Sequence, residues 1–201
     1  MKITAIKQQV KRVGRYSIFV DGKYSFSLSE SELLNTKLVP NQEITAGQLE
    51  QLKGTAVIDK AFGRALNLVA HRPRSEWELR DYLRRKDHEP ETIEAVIAKL
   101  DKYGYVNDAA FAKQWVQSRR LLKATSKRRL QQELRQKHIE NDIIDATLAE
   151  DETDERQVLR ELVEKKRSHY PDDLKLMQYL ARQGYGYDDI KTVLHGDPDE
   201  D

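Results

Sequence analysis

The sequence predicts a mainly α-helical chain, a tandem array of three three-helix repeats behind a small N-terminal module that contains a β-hairpin. One spacing recurs three times, at Ser75, Leu79, Leu83 and Lys86, at Ser126, Leu130, Leu134 and Lys137, and at Asp172, Leu176, Leu180 and Gln183. A downstream helical pair recurs with it, at Ile93 and Ile97, Ile144 and Leu148, and Ile190 and Leu194. Stacked helical units bury a continuous core and leave one long face exposed, so this pattern favours a binding surface over an enzyme cleft.

The N-terminal module is predicted from alternating apolar residues. Tyr16, Ile18 and Val20 alternate before Asp21-Gly22, and a second alternating run follows, which is typical of a β-hairpin. Ile3 and Ile6 predict a further strand, and residues 29–34 a short helix. Thr45 is the expected N-cap of a helix that ends near Leu52, and a separate helix is expected over residues 57–71.

Capping residues set the predicted repeat boundaries. Pro73 ends a helix, Ser75 and Glu78 have the spacing of a capping box, Pro90 suits the first position of the next helix, and Gly104 suits a helix C-cap. The expected divisions are residues 1–56 for the β-rich module, 57–107, 108–152 and 153–195 for the repeats, and 196–201 for an acidic tail too polar to fold.

Composition excludes several functional classes. The chain has no cysteine, and its five histidines are scattered without a pair at ligand spacing. The sequence contains no Walker A loop and no complete dinucleotide fingerprint. We therefore expect no enzyme, no metal and no cofactor. Because apolar stretches are short and the first residues lack a signal-peptide core, we expect a cytoplasmic protein without a membrane segment.

Charge is distributed unevenly along the chain. Residues 61–137 carry 18 Lys and Arg against 10 Asp and Glu, whereas residues 138–201 carry 8 against 18. A basic middle and an acidic end suggest two electrostatically different partners. The alternative is a chance fluctuation on exposed helices.

The most unusual local pattern is the cluster Ser126-Lys127-Arg128-Arg129. By its equivalence to Ser75, Ser126 caps a helix whose first turn then holds three cations, although the helix dipole disfavours cations there. The equivalent turns of the other repeats are acidic. Free backbone N–H groups and basic side chains together suit a phosphate or an acidic protein surface. The upstream residues Arg119, Arg120 and Lys123 would extend the site; the alternative is a solvated basic turn.

Two further groups leave alternatives open. A second basic group consists of Arg72, Arg74, Arg84, Arg85 and Lys86, and a solvated helix end is as good an interpretation of it as a binding patch. Tyr103, Tyr105 and Trp115 fall where two repeats join. We therefore interpret them as interface core rather than as aromatic side chains on which nucleic-acid bases stack.

Four groups of residues carry a family resemblance: Arg74-Ser75-Glu76 with Leu79 and Leu83, Gly104-Tyr105-Val106-Asn107-Asp108 with Phe111-Ala112, Arg119, and Glu133-Leu134 with Lys137 and Ile139. By these groups, residues 59–195 resemble the RecX family, which regulates the RecA recombinase. Residues 15–22 resemble the β-rich leader of some members. The third repeat departs most from the family pattern, and Lys86-Asp87 stands where members often have Lys-Gly.

The resemblance implies a non-enzymatic modulator that binds the RecA filament on single-stranded DNA and inhibits its recombinase and ATPase activities. We expect a monomer whose partners are the RecA filament and single-stranded DNA, contacted directly or through the filament. Two alternatives stay open: an autonomous DNA-binding protein that uses its three-helix units as helix-turn-helix modules, and a helical adaptor between proteins.

Overall fold

The computed structural model describes residues 1–196, so the predicted acidic tail lies outside the described residues except for Gly196. The chain forms two compact units, residues 1–106 and residues 107 onward. Unit 1 contains the β-rich module and the first three-helix repeat, and unit 2 contains the second and third repeats. The predicted fold class, mainly α repeats with an N-terminal module, is confirmed.

The N-terminal sheet has three antiparallel strands in the order of the sequence, β1 (Ile3–Gln8), β2 (Arg15–Val20) and β3 (Lys23–Ser29). Ile18 pairs with Ile6 on one side and with Phe26 on the other. Asp21 and Gly22 have φ values of 47° and 79°, so both turn residues are left-handed, as the predicted hairpin requires. Both the hairpin and the additional strand are therefore confirmed.

Unit 1 continues as α1 (Glu30–Thr36), α2 (Ala46–His71), α3 (Glu76–Arg84) and α4 (Pro90–Lys102). Thr45 caps α2 with a complete capping box to Gln48. The predicted break between residues 52 and 57 is wrong, because α2 runs through it unbroken. Gly54 weakens a helix but causes no steric clash there, and no proline interrupts the turn. Leu49 and Ala56 pack on the sheet, whereas Ala61 and Ala65 pack in the first repeat, so tertiary burial holds the helix together.

A buried carboxylate joins the sheet to α2. Asp59 is 3% exposed and accepts hydrogen bonds from the Ser29 backbone N–H at 2.8 Å, the Ser29 hydroxyl at 2.6 Å and the Arg15 guanidinium at 3.2 Å. Removing one partner of such a group leaves an unsatisfied buried charge, so this contact fixes the module on the helix.

Unit 2 contains α5 (Asp108–Leu122), α6 (Lys127–Gln136), α7 (Asn141–Ala149), α8 (Glu155–Arg167), α9 (Asp173–Arg182) and α10 (Tyr187–His195). The leucines that define the repeat are fully buried in all three copies: Leu79, Leu83, Leu130, Leu134, Leu176 and Leu180. Each three-helix repeat has its own apolar core. The predicted periodicity therefore identified the core-facing positions.

The second helix of each repeat ends in the same way. The residue twelve positions after the N-cap has a left-handed backbone, with φ 55° at Asp87, 55° at His138 and 93° at Gly184. The next amide then donates back to the second repeat leucine, as Tyr185 does to the Leu180 carbonyl at 3.3 Å. This arrangement is a Schellman-type C-cap. Asp87 thus adopts the conformation for which the resemblance to RecX suggests glycine.

Candidate functional site

The basic first turn of α6 lies at a junction inside unit 2. Ser126 is fully buried, accepts a hydrogen bond from the Arg129 N–H at 3.2 Å, and donates its hydroxyl to the Gln183 carbonyl at 2.9 Å. The Lys127 N–H donates to the Glu155 carboxylate. The backbone N–H groups of Lys127 and Arg129 are therefore occupied, and the expectation of free groups for a phosphate is wrong for these two.

Glu155 explains why this turn tolerates cations. In the other repeats an acidic residue in the first turn complements the helix dipole, whereas α6 receives its carboxylate from the start of α8, 28 residues further along the chain. Glu155 also lies 3.3 Å from the Arg120 guanidinium. The anion that the dipole favours is present, but it comes from the third repeat rather than from α6 itself.

Arg120 belongs to the same junction. Its guanidinium contacts the Asp151 carboxylate at 2.6 Å and donates to the Thr125 carbonyl at 2.5 Å, and both ion-pair side chains are at most 10% exposed. Burial opposes ionisation of Asp151, but hydrogen bonds from Thr153 and Arg120 outweigh it and lower the pKa of Asp151. Since a buried pair is costly to break, we assign Arg120 a structural role.

Arg129 and Arg119 also have intramolecular partners. The Arg129 guanidinium donates to the Arg182 carbonyl at 2.8 Å, where α9 ends and a cation is favourable. The Arg119 guanidinium contacts the Glu133 carboxylate at 2.7 Å and lies 4.6 Å from the centre of the Trp115 ring. Trp115 donates its indole N–H to Glu133 at 2.9 Å. Glu133 thus gathers these side chains on the second repeat.

Three basic side chains of the predicted unit 2 cluster point outward: Lys123, Lys127 and Arg128. Lys123 and Arg128 are exposed and Lys127 is half-buried. Within residues 1–196 none of these three side chains takes part in a salt bridge. They are therefore the members of the predicted unit 2 cluster that remain available to an anion.

The basic group of unit 1 divides in the same way. The Arg72 guanidinium makes two hydrogen bonds to the Glu78 carboxylate, at 3.0 and 3.2 Å. Burial and the neighbouring Arg72 charge lower the pKa of Arg74. By contrast, the end of α3 presents exposed cations: Arg84, Arg85, which pairs with Asp81, and Lys86, which lies 5.9 Å from the Tyr82 ring centre. These three face solvent, as a basic helix end would.

Two tyrosines lie outside the apolar core of unit 1. Tyr103 is 56% exposed and Tyr105 48% exposed, and their ring centres lie 6.4 Å apart. Trp115 is half-buried against the second repeat core. An interface between the two repeats at these three residues stays a prediction.

Sequence reasoning missed two residues at the end of α5. Leu121 is 85% exposed and Leu122 77% exposed, directly before Lys123. Leu121 lines two cavities, of 450 Å³ and 390 Å³. The buried stripe of α5 runs through Phe111, Ala112 and Val116, and helical periodicity places Leu121 off that stripe. Leu122 lies about three turns after Phe111 and so on the side of the stripe, but it is the last residue of the helix. The phase of the helix could therefore have revealed Leu121 but not Leu122.

The described residues offer neither a metal site nor a membrane span. Among residues 1–196 no group of three or more His, Asp or Glu side chains is placed to hold a metal ion. No helix within that range is both long and apolar enough to cross a bilayer.

The fold and these surfaces define a class of protein, a helical-repeat protein with solvated basic helix ends. Family models extend over most of the chain: the Regulatory protein RecX N-terminal domain matches residues 1–45, and the first, second and third RecX three-helix domains match residues 61–100, 107–148 and 153–194. The chain belongs to the RecX family of regulatory proteins.

Individual relatives agree with the family models. A regulatory protein RecX of Listeria welshimeri is 36% identical over 160 residues, which cover 79% of this chain and 58% of the relative's length. The Bacillus subtilis protein of the same name is 31% identical over 199 residues, covering 96% of this chain and 75% of that one. In the Listeria welshimeri match, the chain covers less than two thirds of the relative's length.

Solved structures share the fold. A crystal structure of a regulatory protein RecX aligns with a TM-score of 0.77 at 26% identity and covers 96% of this chain and 98% of the other. The crystal structure of RecX from Lactobacillus salivarius aligns with a TM-score of 0.61 at 27% identity, covering 69% of this chain and 94% of that one.

Proposed function

We propose that this chain is a non-enzymatic regulator that binds the RecA–single-stranded DNA filament and inhibits the recombinase and its ATPase. The observation that supports the proposal best is the match of four RecX domain models along the chain. The exposed cations of both units supply the positive charge that binding to the phosphates of a DNA filament requires.

In the proposed mechanism, the repeats dock along the filament groove. Arg84, Arg85 and Lys86 of unit 1, with Lys123, Lys127 and Arg128 of unit 2, face phosphates or acidic protein surface. Acidic side chains of the third repeat face basic RecA surface. Occupation of the groove excludes a second duplex and hinders the subunit motions that ATP hydrolysis requires.

The exposed leucines at the end of α5 suit the protein part of the filament. Adjacent large apolar side chains that nothing in their own unit covers are typical of protein contacts, and the neighbouring Lys123 favours an acidic rim on the partner. We therefore assign Leu121 and Leu122 to the contact with RecA, and the outward cations of α6 to the contact with phosphate.

The test is RecA-dependent ATP hydrolysis on single-stranded DNA with this protein titrated in. We expect the rate to fall at substoichiometric to stoichiometric levels, and we expect no hydrolysis by this protein alone. The variant Lys127→Glu/Arg128→Glu should inhibit more weakly than wild type. Lys175→Glu/Lys191→Glu makes the same charge change on exposed positions of the third repeat and is the matched control.

Two outcomes would contradict the proposal. An ATPase rate unchanged by excess wild-type protein would refute regulation of RecA. Binding to duplex DNA without RecA, as tight as binding to the filament, would instead favour an autonomous DNA-binding protein.

A further inference from the structure

The loop between β1 and β2 has an unusual charge and exposure. Residues 1–20 contain Lys2, Lys7, Lys11, Arg12 and Arg15 but no Asp or Glu. Residues 9–14 form the loop, with Lys11 and Arg12 at its exposed tip. They are flanked by Val10 and Val13, which are 98% and 92% exposed. Side chains this exposed bury almost no apolar surface, so the two valines add little to the stability of their own module.

The loop is held on a rigid base. The Gln9 N–H donates to the Arg15 carbonyl at 2.8 Å, and the Glu30 N–H donates to the Gly14 carbonyl at 2.9 Å. Arg15 itself points inward, because its guanidinium contacts buried Asp59 at 3.2 Å and the Ser27 carbonyl at 3.0 Å. Arg15 therefore has a structural role. The base of the loop is held by these hydrogen bonds while its tip faces solvent, so binding at the tip would not require the base to become ordered.

The other hairpin connection shows what the fold alone requires. Asp21-Gly22 closes β2 and β3 with a two-residue turn that carries an acidic side chain. The β1–β2 connection is longer and carries two cations between two valines. Turn chemistry favours Gly, Asn, Asp or Ser at such positions, so Val10 and Val13 are not explained by the turn.

We infer that the β1–β2 loop binds a nucleic-acid strand, with Lys11 and Arg12 on phosphates and with Val10 and Val13 against sugars or between bases. Cations on an exposed tip recruit phosphates by releasing counterions. Apolar side chains on such a tip can enter between base steps, as they do in proteins that unstack nucleic acid. A single strand exposes its bases without prior unpairing, so it is the preferred ligand. The inference adds a nucleic-acid binding site to the proposed function. It rests on the proposed function only where the strand is identified as the single-stranded DNA of the RecA filament.

The test measures binding without RecA, by fluorescence anisotropy of a labelled oligo-dT strand across a salt series. Lys11→Glu/Arg12→Glu should weaken binding by about tenfold or more and flatten the slope of log affinity against log salt by about 0.7 for each phosphate that is no longer neutralised. Val10→Ser/Val13→Ser should weaken binding to the single strand without changing the slope. Lys23→Glu/Lys60→Glu, at two exposed positions of unit 1 outside this loop, is the matched control and should change affinity less.

Each other result overturns the inference. Wild-type protein that does not bind oligo-dT would refute it, and so would a loop variant that binds no more weakly than the control variant. If the valine variant binds like wild type, the proposed contact of Val10 and Val13 with sugars or bases is wrong. Because RecA is absent, these results are independent of the ATPase titration, which decides the proposed function by itself.

Discussion

At the scale of single residues, the left-handed C-cap of the second helix shows how the repeats differ. The three equivalent positions are Asp87, His138 and Gly184, and only the last is a residue without steric cost at positive φ. A Cβ on Gly184 would lie 2.5 Å from the Ser126 hydroxyl and 3.1 Å from the Arg129 Cβ. The backbone conformation therefore favours glycine at position 184, and the close approach of α6 requires it.

Substitutions at these equivalent positions should have opposite effects. Asp87→Gly should raise the free energy of unfolding by about 0.5–1 kcal/mol, because it removes left-handed strain. Gly184→Ala should lower it by about 2 kcal/mol or more, because strain and overpacking add. Denaturant unfolding followed by circular dichroism measures both.

Gly104→Ala separates the two causes. Gly104 has φ 71° but nothing within 4 Å of a built Cβ, so its substitution carries strain alone. We expect Gly104→Ala to cost less than Gly184→Ala. Equal costs would show that α6 does not pack on Gly184.

At the scale of helices and strands, the sequence predicted most elements because their signals are local. Ser75 with Glu78, Pro90 and Asp21-Gly22 act within a few residues of themselves, and each lies where it was expected. The continuity of α2 was missed because it is decided by burial on two different cores. Gly54 is a local helix-weakening signal, and tertiary contacts outweigh it.

Substitution of Gly54 tests that continuity. Since Gly54 is helical and nothing lies within 4 Å of a built Cβ, Gly54→Ala should stabilise unit 1 by about 0.5–1 kcal/mol. Gly63, which is also helical and equally open, lies where a helix was predicted and is the matched control. Similar gains in thermal unfolding would support one helix, whereas a gain at Gly63 alone would support the break between residues 52 and 57.

The sequence predicts which basic residues cluster at the candidate site, but not which of them have intramolecular partners. The cluster at α6 stands out in the sequence, yet which cations are available depends on Asp151, Glu155 and the α9 carbonyls, which lie far along the chain. Periodicity carries no information about such partners. The exposure of the loop valines and of Leu122 was likewise not predictable, because it is a property of the folded chain, whereas helical periodicity sets Leu121 off the buried stripe.

At the scale of the whole molecule, opposite charges are proposed to serve different partners. Within the proposed function, outward cations meet phosphates and acidic side chains of the third repeat meet RecA. Asp188 and Asp189 are exposed in the first turn of α10, where they suit the helix dipole. Their removal should cost only a few tenths of a kcal/mol to about 1 kcal/mol in stability, so binding can be tested in a folded variant.

The variant Asp188→Asn/Asp189→Asn distinguishes a specific acidic contact from general repulsion. If these carboxylates face basic RecA surface, the variant should inhibit the RecA ATPase more weakly while binding oligo-dT as wild type does. If they only repel DNA, the variant should bind oligo-dT more tightly, because two negative charges are gone, and should inhibit at least as well. Both measurements belong in the same salt series, since added salt screens either effect and should bring variant and wild type together. Stronger inhibition by the variant at low salt would therefore contradict a protein-facing role for the acidic repeat, and would leave the basic side chains as the electrostatic determinants of binding.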